Sequence, residues 1–260
     1  MQAVHLKTTD ARNGLHRVVE ALQNSWFTLK LGALVLVLVL SPSTYTRAHW
    51  RALAAQVHTS TWQVLGWFSA LAALLSLVLI RIVLVTALSY GLSHYALQMV
   101  VRVLILELIP LSAAMFVALR ASLSLSTTDL HRPASSGSGQ IDQATLASRL
   151  VPRATADAFA VVTLALVSSS LVLILTYLSQ YGLSPWGLAG FTRTVGQVFS
   201  PSVSLSLSFK ILFFSWSVAI IPIASSWINP NTAGRLRPGS TLLFVVLFML
   251  EAGFLAIKYI

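Results

Sequence analysis

The stretch LILELIPLSAAMFVALR, residues 104–120, carries a glutamate, Glu107, and a proline, Pro110, inside an apolar run long enough to enter a bilayer. A carboxylate in hydrocarbon is costly unless a partner, a wet cavity or the interface compensates it. Either this run lies outside the membrane or Glu107 has a task there. The rest of the chain decides. Of its 260 residues, 56% are hydrophobic and 9% are charged, against roughly 25% charged in an ordinary soluble domain. Several apolar runs exceed the ~18 residues that cross a hydrocarbon core. The composition therefore describes an all-α integral membrane protein with little room for a soluble domain.

The formal charge of +10 raises the question of nucleic acid. No basic stripe with interleaved aromatics accompanies it, so nucleic-acid binding is set aside. In a membrane chain, loop arginines set topology and meet anionic headgroups. The absence of cysteine removes disulfides, thiolate metal sites and thiol nucleophiles together.

Residues 1–58 form an N-terminal unit. Within it, 1–30 is polar and basic, with Lys7, Arg12, Arg17 and Lys30 and apolar residues at helical spacing, the pattern of an amphipathic helix on the membrane surface. LGALVLVLVL, residues 31–40, is about half a bilayer long, so it dips in or lies along the interface. The leader is too long and lacks a small-residue cleavage site, which argues against a signal peptide. Residues 59–260 hold five spanning candidates, at about 62–88, 99–123, 156–180, 206–227 and 240–258.

Five spans put their two ends on opposite sides, and the positive-inside rule orients them. With the N-terminus in the cytoplasm, the inner segments hold Lys7, Arg12, Arg17, Lys30, Arg47, Arg51, Arg132, Arg149, Arg153, Arg235 and Arg237. The outer segments hold only Arg193 and Lys258. The expected topology is N-terminus in and C-terminus out, with a cytoplasmic connection at about 124–155 and an outer one at about 181–205.

Five charges remain inside the spans away from the inner boundary: Arg81, Arg102, Glu107, Lys210 and Glu251. On this topology all lie in the outer half of the bilayer. Arg81 and Glu107 sit roughly 10–12 Å below the outer surface, at 1.5 Å per helical residue. Arg102 and Lys210 are each placed about one turn in, and Glu251 about two turns in. Arg102 and Glu107 point away from each other on an α-helix, so Arg81, at matching depth on the adjacent antiparallel helix, is the expected partner of Glu107. Two readings stay open. In one, the charges simply pair and hold the bundle; in the other, they line an outward polar cavity, where three bases against two acids leave a surplus for the phosphate of an anionic amphiphile.

Other chemistry has little support in the residues. His94 falls in a connection and the remaining histidines lack ligand spacing, so no metal is expected. The SLSLS segments have no acid/base set beside them and read as small residues at helix contacts. A lipid-modifying enzyme would need a nucleophile or acid/base pair that does not appear. No Walker A loop is present, so ATP use falls to another chain, and no cofactor is expected in this one.

Over about 50–258 the chain resembles the MlaE-type permeases of ABC phospholipid transporters (Mla/MCE systems), as a divergent member. Glu107, Leu108, Pro110 and Arg120 fit the family's Glu-Leu-Gly-Pro with an arginine thirteen residues after the glutamate, Ile109 replacing the glycine. Pro152-Arg153 opens the third span, and Ser200-Pro201, Lys210 and Phe214 follow at the family's spacing. The basic residue usual before the glutamate is Leu106 here, with Arg102 one turn earlier, and Ser215 replaces a glycine.

The resemblance implies a dimerising permease subunit, in the simplest case of two identical chains, in the bacterial inner membrane. A cytosolic ABC ATPase energises it, and phospholipid passes to or from a periplasmic MCE-domain protein in maintenance of outer-membrane lipid asymmetry. It further implies a lipid-binding cavity at Arg81, Arg102, Leu106, Glu107, Lys210 and Glu251. An ATPase-coupling segment at about 121–155 would involve Arg120, Asp129, Gln140, Asp142 and Arg153. That segment reads STTDLHRPASSGSG where the family has a glycine- and glutamate-containing helix. Its departure keeps open an alternative: a non-transporting scaffold or degenerate paralogue pairing with another permease.

Overall fold

A computed structural model describes residues 53–128, 151–228 and 238–259, together with 30, 32–34 and 37. The amphipathic reading of 1–29 and the coupling residues Asp129, Gln140 and Asp142 lie outside the described residues.

Every described element is helical. A π turn, His58–Trp62, leads into α1, Gln63–Ser89. The chain then reverses at Gly91, whose φ of 71° is a left-handed conformation that glycine adopts without a Cβ penalty. Next come α2, Ser93–Val100, a π segment, Val101–Leu108, and α3, Ile109–Thr128, running on without a break. α4 spans Val151–Tyr181. A 3₁₀ turn, Pro185–Gly187, introduces the short α5, Leu188–Val198. α6, Pro201–Ile228, and α7, Pro238–Tyr259, complete the bundle.

Five helices are long and apolar enough to cross a membrane: Gln63–Ser89, Tyr95–Leu123, Val151–Tyr181, Pro201–Ser225 and Thr241–Lys258. They match the five runs read from the sequence, with one consequential shift. The fourth begins at Pro201 rather than near 206, because proline's fixed φ and missing N–H suit the first turn of a helix. Lys210 therefore lies about two and a half turns inside its helix, not one.

α4 packs on α1, α3 and α6, and α6 packs in turn on α3 and α7. The contact between α3 and α4 is built from small residues, with Ala113, Ala114 and Ala118 set near Ala160 and Ala165 in one core. Small side chains let helix axes approach, which matters where lipid supplies no hydrophobic drive to associate. A second core gathers Ile80, Leu97, Val100, Leu104, Ile105, Val172 and Phe191 towards the end of the bundle that carries α5. By contrast α1 leaves Trp67, Leu71, Leu74, Val78, Ile82 and Val85 exposed. In hydrocarbon such a face needs no cover.

Several hydroxyls within the spans turn to their own helix, although Ser69 and Ser168 are buried without doing so. Thr176 donates to the Val172 carbonyl at 2.7 Å and Ser217 to that of Phe213 at 2.9 Å. Ser206 and Ser208 are exposed rather than set in helix contacts, and Ser208 donates to the Ser204 carbonyl at 2.9 Å. The connection after α4 folds back onto the helix ends: the Tyr177 hydroxyl donates to the Ser184 carbonyl, and the Tyr177 ring meets Phe191 edge-on at 5.2 Å. Gly187 is required there, since a Cβ would come within 2.5 Å of the Tyr181 ring. From the half-length N-terminal run, Gly32 is buried against α6, where a Cβ would lie 3.0 Å from the Ile220 side chain.

Candidate functional site

The site begins with a backbone defect. Pro110 has no N–H, so the Leu106 carbonyl four residues earlier has no α-helical donor. The chain has already left the α register at this point: the Ile109 N–H donates to the Leu104 carbonyl, five residues back, at the end of the eight-residue π segment. Such insertions concentrate at functional sites. Here the orphaned carbonyl acquires a side-chain donor, as Lys210 Nζ reaches across from α6 and donates to the Leu106 oxygen at 3.1 Å.

The same ammonium holds two carboxylates. Lys210 Nζ donates to Glu107 Oε2 and, at 2.8 Å, to Glu251 Oε1 on α7. Glu251 Oε2 lies 2.7 Å from it, off the hydrogen-bond axis. An ammonium has three N–H donors. Leu106, Glu107 and Glu251 supply an acceptor for each, so a lysine side chain only 4% exposed leaves no donor unsatisfied. The Phe214 ring, one turn further along α6, lies 5.8 Å from Nζ by its centroid and adds a cation–π contact.

Glu107 is shared. Its other oxygen, Oε1, accepts from Lys258 Nζ at 2.5 Å. The result is an alternating chain, Lys258–Glu107–Lys210–Glu251, drawn from three spans. Its formal charge is zero. Exposure rises from Lys210 through Glu251 and Glu107 to Lys258, whose side chain is 23% exposed. Glu251 and Lys258 stand seven residues apart on α7, two turns on one face.

Of the residues read from the sequence as a cavity, the structure brings together Leu106, Glu107, Lys210 and Glu251. Arg81 and Arg102 are exposed instead. Glu107 thus pairs with Lys210 and Lys258, not with Arg81: the deeper start of α6 carries Lys210 to the glutamate's level. The predicted surplus of positive charge is likewise not gathered there, since two acids meet two bases. Lys258, read from the sequence only as a topology charge, belongs to the set. Its i, i+7 spacing from Glu251 was the available signal.

At the opposite end of the bundle lie two of the expected coupling residues. Arg153 Nη2 donates to the Ala121 carbonyl at 3.5 Å, a long bond joining the start of α4 to α3. Arg120 is partly buried on α3. Asp157, 8% exposed, follows Arg153 by one turn, a placement that its i, i+4 spacing could have flagged.

Residues 53–131 and 137–234 match the family model described as Permease MlaE. The match covers more than half of the chain, and the chain belongs to the MlaE permease family. It is accordingly a multi-pass membrane permease of the ABC-transporter class, a transport subunit rather than an enzyme. No curated protein matches the chain at a significant level. The family match ends at 234, so Glu107 and Lys210 fall inside it while α7, with Glu251 and Lys258, follows it.

Proposed function

We propose that the chain is the transmembrane subunit of an ABC transporter that moves phospholipid, or a related amphiphile, between the bacterial inner membrane and a periplasmic MCE-domain carrier. In this role it contributes to outer-membrane lipid asymmetry. Two copies form the permease, and a cytosolic ATPase chain supplies the energy of ATP hydrolysis. The N-terminus is cytoplasmic, so the charged set lies in the periplasmic half of the bundle.

The observation that carries this reading is the four-charge chain, with its two less buried members, Glu107 and Lys258, towards one end of an otherwise apolar bundle. Intramembrane charges that face a bundle interior mark substrate pathways more often than architecture. A lipid headgroup is held by those charges while its acyl tails lie along apolar helix faces. The ATPase acts at the other end, where Arg120 and Arg153 stand beside the coupling segment. α3 joins the two ends, with the π segment and Pro110 as its point of adjustment.

Purification from native membranes in mild detergent is expected to bring down an ABC ATPase and an MCE-domain protein in stoichiometric amounts. In the reconstituted complex, Glu107→Ala is expected to lower lipid transfer by roughly tenfold or more, a loss of about 1.4 kcal/mol or greater, while both partners still assemble. Unchanged transfer with failed assembly, or recovery of neither partner, would make the chain a scaffold instead.

A further inference from the structure

We propose that the site selects a zwitterionic headgroup, one bearing a phosphate and a primary ammonium a short distance apart, by inserting it into the Lys258–Glu107 pair. The phosphate takes Lys258 Nζ and the ammonium takes Glu107 Oε1. This deepens the lipid-transport reading and rests on it.

The argument starts from which link of the chain opens at least cost. Freeing Lys210 strands Glu107 and Glu251 near each other without their shared base and orphans the Leu106 carbonyl. Buried carboxylates deprived of their partner are strongly destabilising. Opening Lys258 from Glu107 is different. Glu107 keeps Lys210 through Oε2, and the Lys210 cradle is untouched. The opened pair is also the most exposed part of the set, at 23% and 17%. Lys258 lies in the last turn of α7, where its stem can swing towards the interface.

Charge balance then decides the ligand. The four groups sum to zero, so an anionic headgroup adds an uncompensated negative charge to a largely desolvated site and leaves Glu107 Oε1 unpaired. A zwitterion brings no net charge. It replaces one ion pair by two, with each end of the headgroup facing an opposite charge. The surplus cation that would favour a purely anionic amphiphile is absent from the set, since Arg81 and Arg102 are exposed elsewhere. Discrimination through a buried group left unpaired is stronger than discrimination by shape alone.

The test uses the full-length chain in detergent. It is titrated with acyl-labelled phosphatidylethanolamine, with phosphatidylglycerol of the same acyl chains, and with phosphatidylethanolamine whose amine is acetylated. Free phosphoethanolamine serves as competitor and separates a lipid site from a soluble-headgroup site. The wild-type chain is expected to bind phosphatidylethanolamine about tenfold more tightly than either anionic lipid, an affinity difference of roughly 1.4 kcal/mol. Glu107→Gln, which removes the ammonium's acceptor and leaves the set with a net positive charge, is expected to abolish that ratio, whereas Lys258→Gln is expected to weaken all three lipids and leave phosphatidylethanolamine preferred. The ratio does not depend on the folded fraction, so a partly unfolded variant still reports. Equal or tighter binding of phosphatidylglycerol by the wild type, or an unchanged ratio in Glu107→Gln, overturns the proposal while leaving lipid binding intact. Failure of the wild type to bind any of the three overturns the lipid-transport reading itself.

Discussion

Lys210 and Arg81 are both bases placed well inside apolar helices, yet the bundle treats them oppositely. Lys210 is buried, with two carboxylates and a carbonyl around its ammonium. Arg81, eight residues from the end of α1, is exposed on the helix that leaves most of its apolar surface uncovered. Arg102 shares that treatment on the π segment. A membrane protein has two ways to keep a charge in a span: satisfy it inside the bundle, or let a long side chain reach the headgroups. The difference lies in the neighbours. α6 crosses the point where Pro110 leaves a carbonyl free and faces an acid on each of two other spans, whereas α1 packs at the periphery and has no acid of its own in Gln63–Ser89.

The comparison predicts a steep gradient of mutational cost, and its upper end is Lys210→Met. Removing the shared base leaves two carboxylates facing each other in a desolvated position, which is expected to cost about 3–5 kcal/mol. Thermal unfolding in detergent, followed by the fluorescence of the 7 tryptophans, measures it. Adding Glu251→Leu to Lys210→Met should recover a large part of the loss, because Glu107 then still has Lys258. Losses that simply add would show that the two residues do not act as one unit.

Lys258→Gln probes the middle of the gradient. The variant keeps a donor near Glu107, and the acid retains Lys210 through its other oxygen. The expected destabilisation is about 1 kcal/mol. A cost as large as that of Lys210→Met would mean that the four charges form one indivisible unit, and would remove the basis for regarding the outer pair as the one that opens.

Much of this was legible in the sequence, and the reasons for the rest are specific. The five spans follow from apolar runs that nothing else could house, and the family's residues around Glu107, Pro152 and Lys210 carried its identity. The neighbours of Glu107 were not legible from depth alone, because depth depends on where each helix starts. A start at Pro201 instead of near 206 moved Lys210 inward by more than a turn and gave it the acid that Arg81 was expected to hold. Nor does residue spacing, read on α geometry, register a π segment. Its eight residues alter which side chains share a face, and Pro110 is the one sequence signal of a break in register. Lys258 was assigned to the topology count by its position near a helix end, although its spacing from Glu251 already put both on one face.

Arg81→Leu closes the gradient at its lower end. An exposed arginine on a helix whose apolar face is uncovered makes little of its charge available to the fold, and replacement by leucine extends the apolar face that Leu74, Val78 and Ile82 already present. The expected change in unfolding stability is within about 0.5 kcal/mol, with the headgroup preference of the site unaltered. Those two readouts separate the explanations of where the residue works. A loss of several kcal/mol would restore Arg81 as a partner of the intramembrane acids. A changed headgroup preference at unchanged stability would instead put Arg81 on the route by which lipid approaches Lys258, although it does not hold the headgroup once bound. Silence in both leaves the contrast with Lys210 as the rule for this bundle: a charge matters to the fold and to the site in proportion to how many of its bonds the bundle itself supplies.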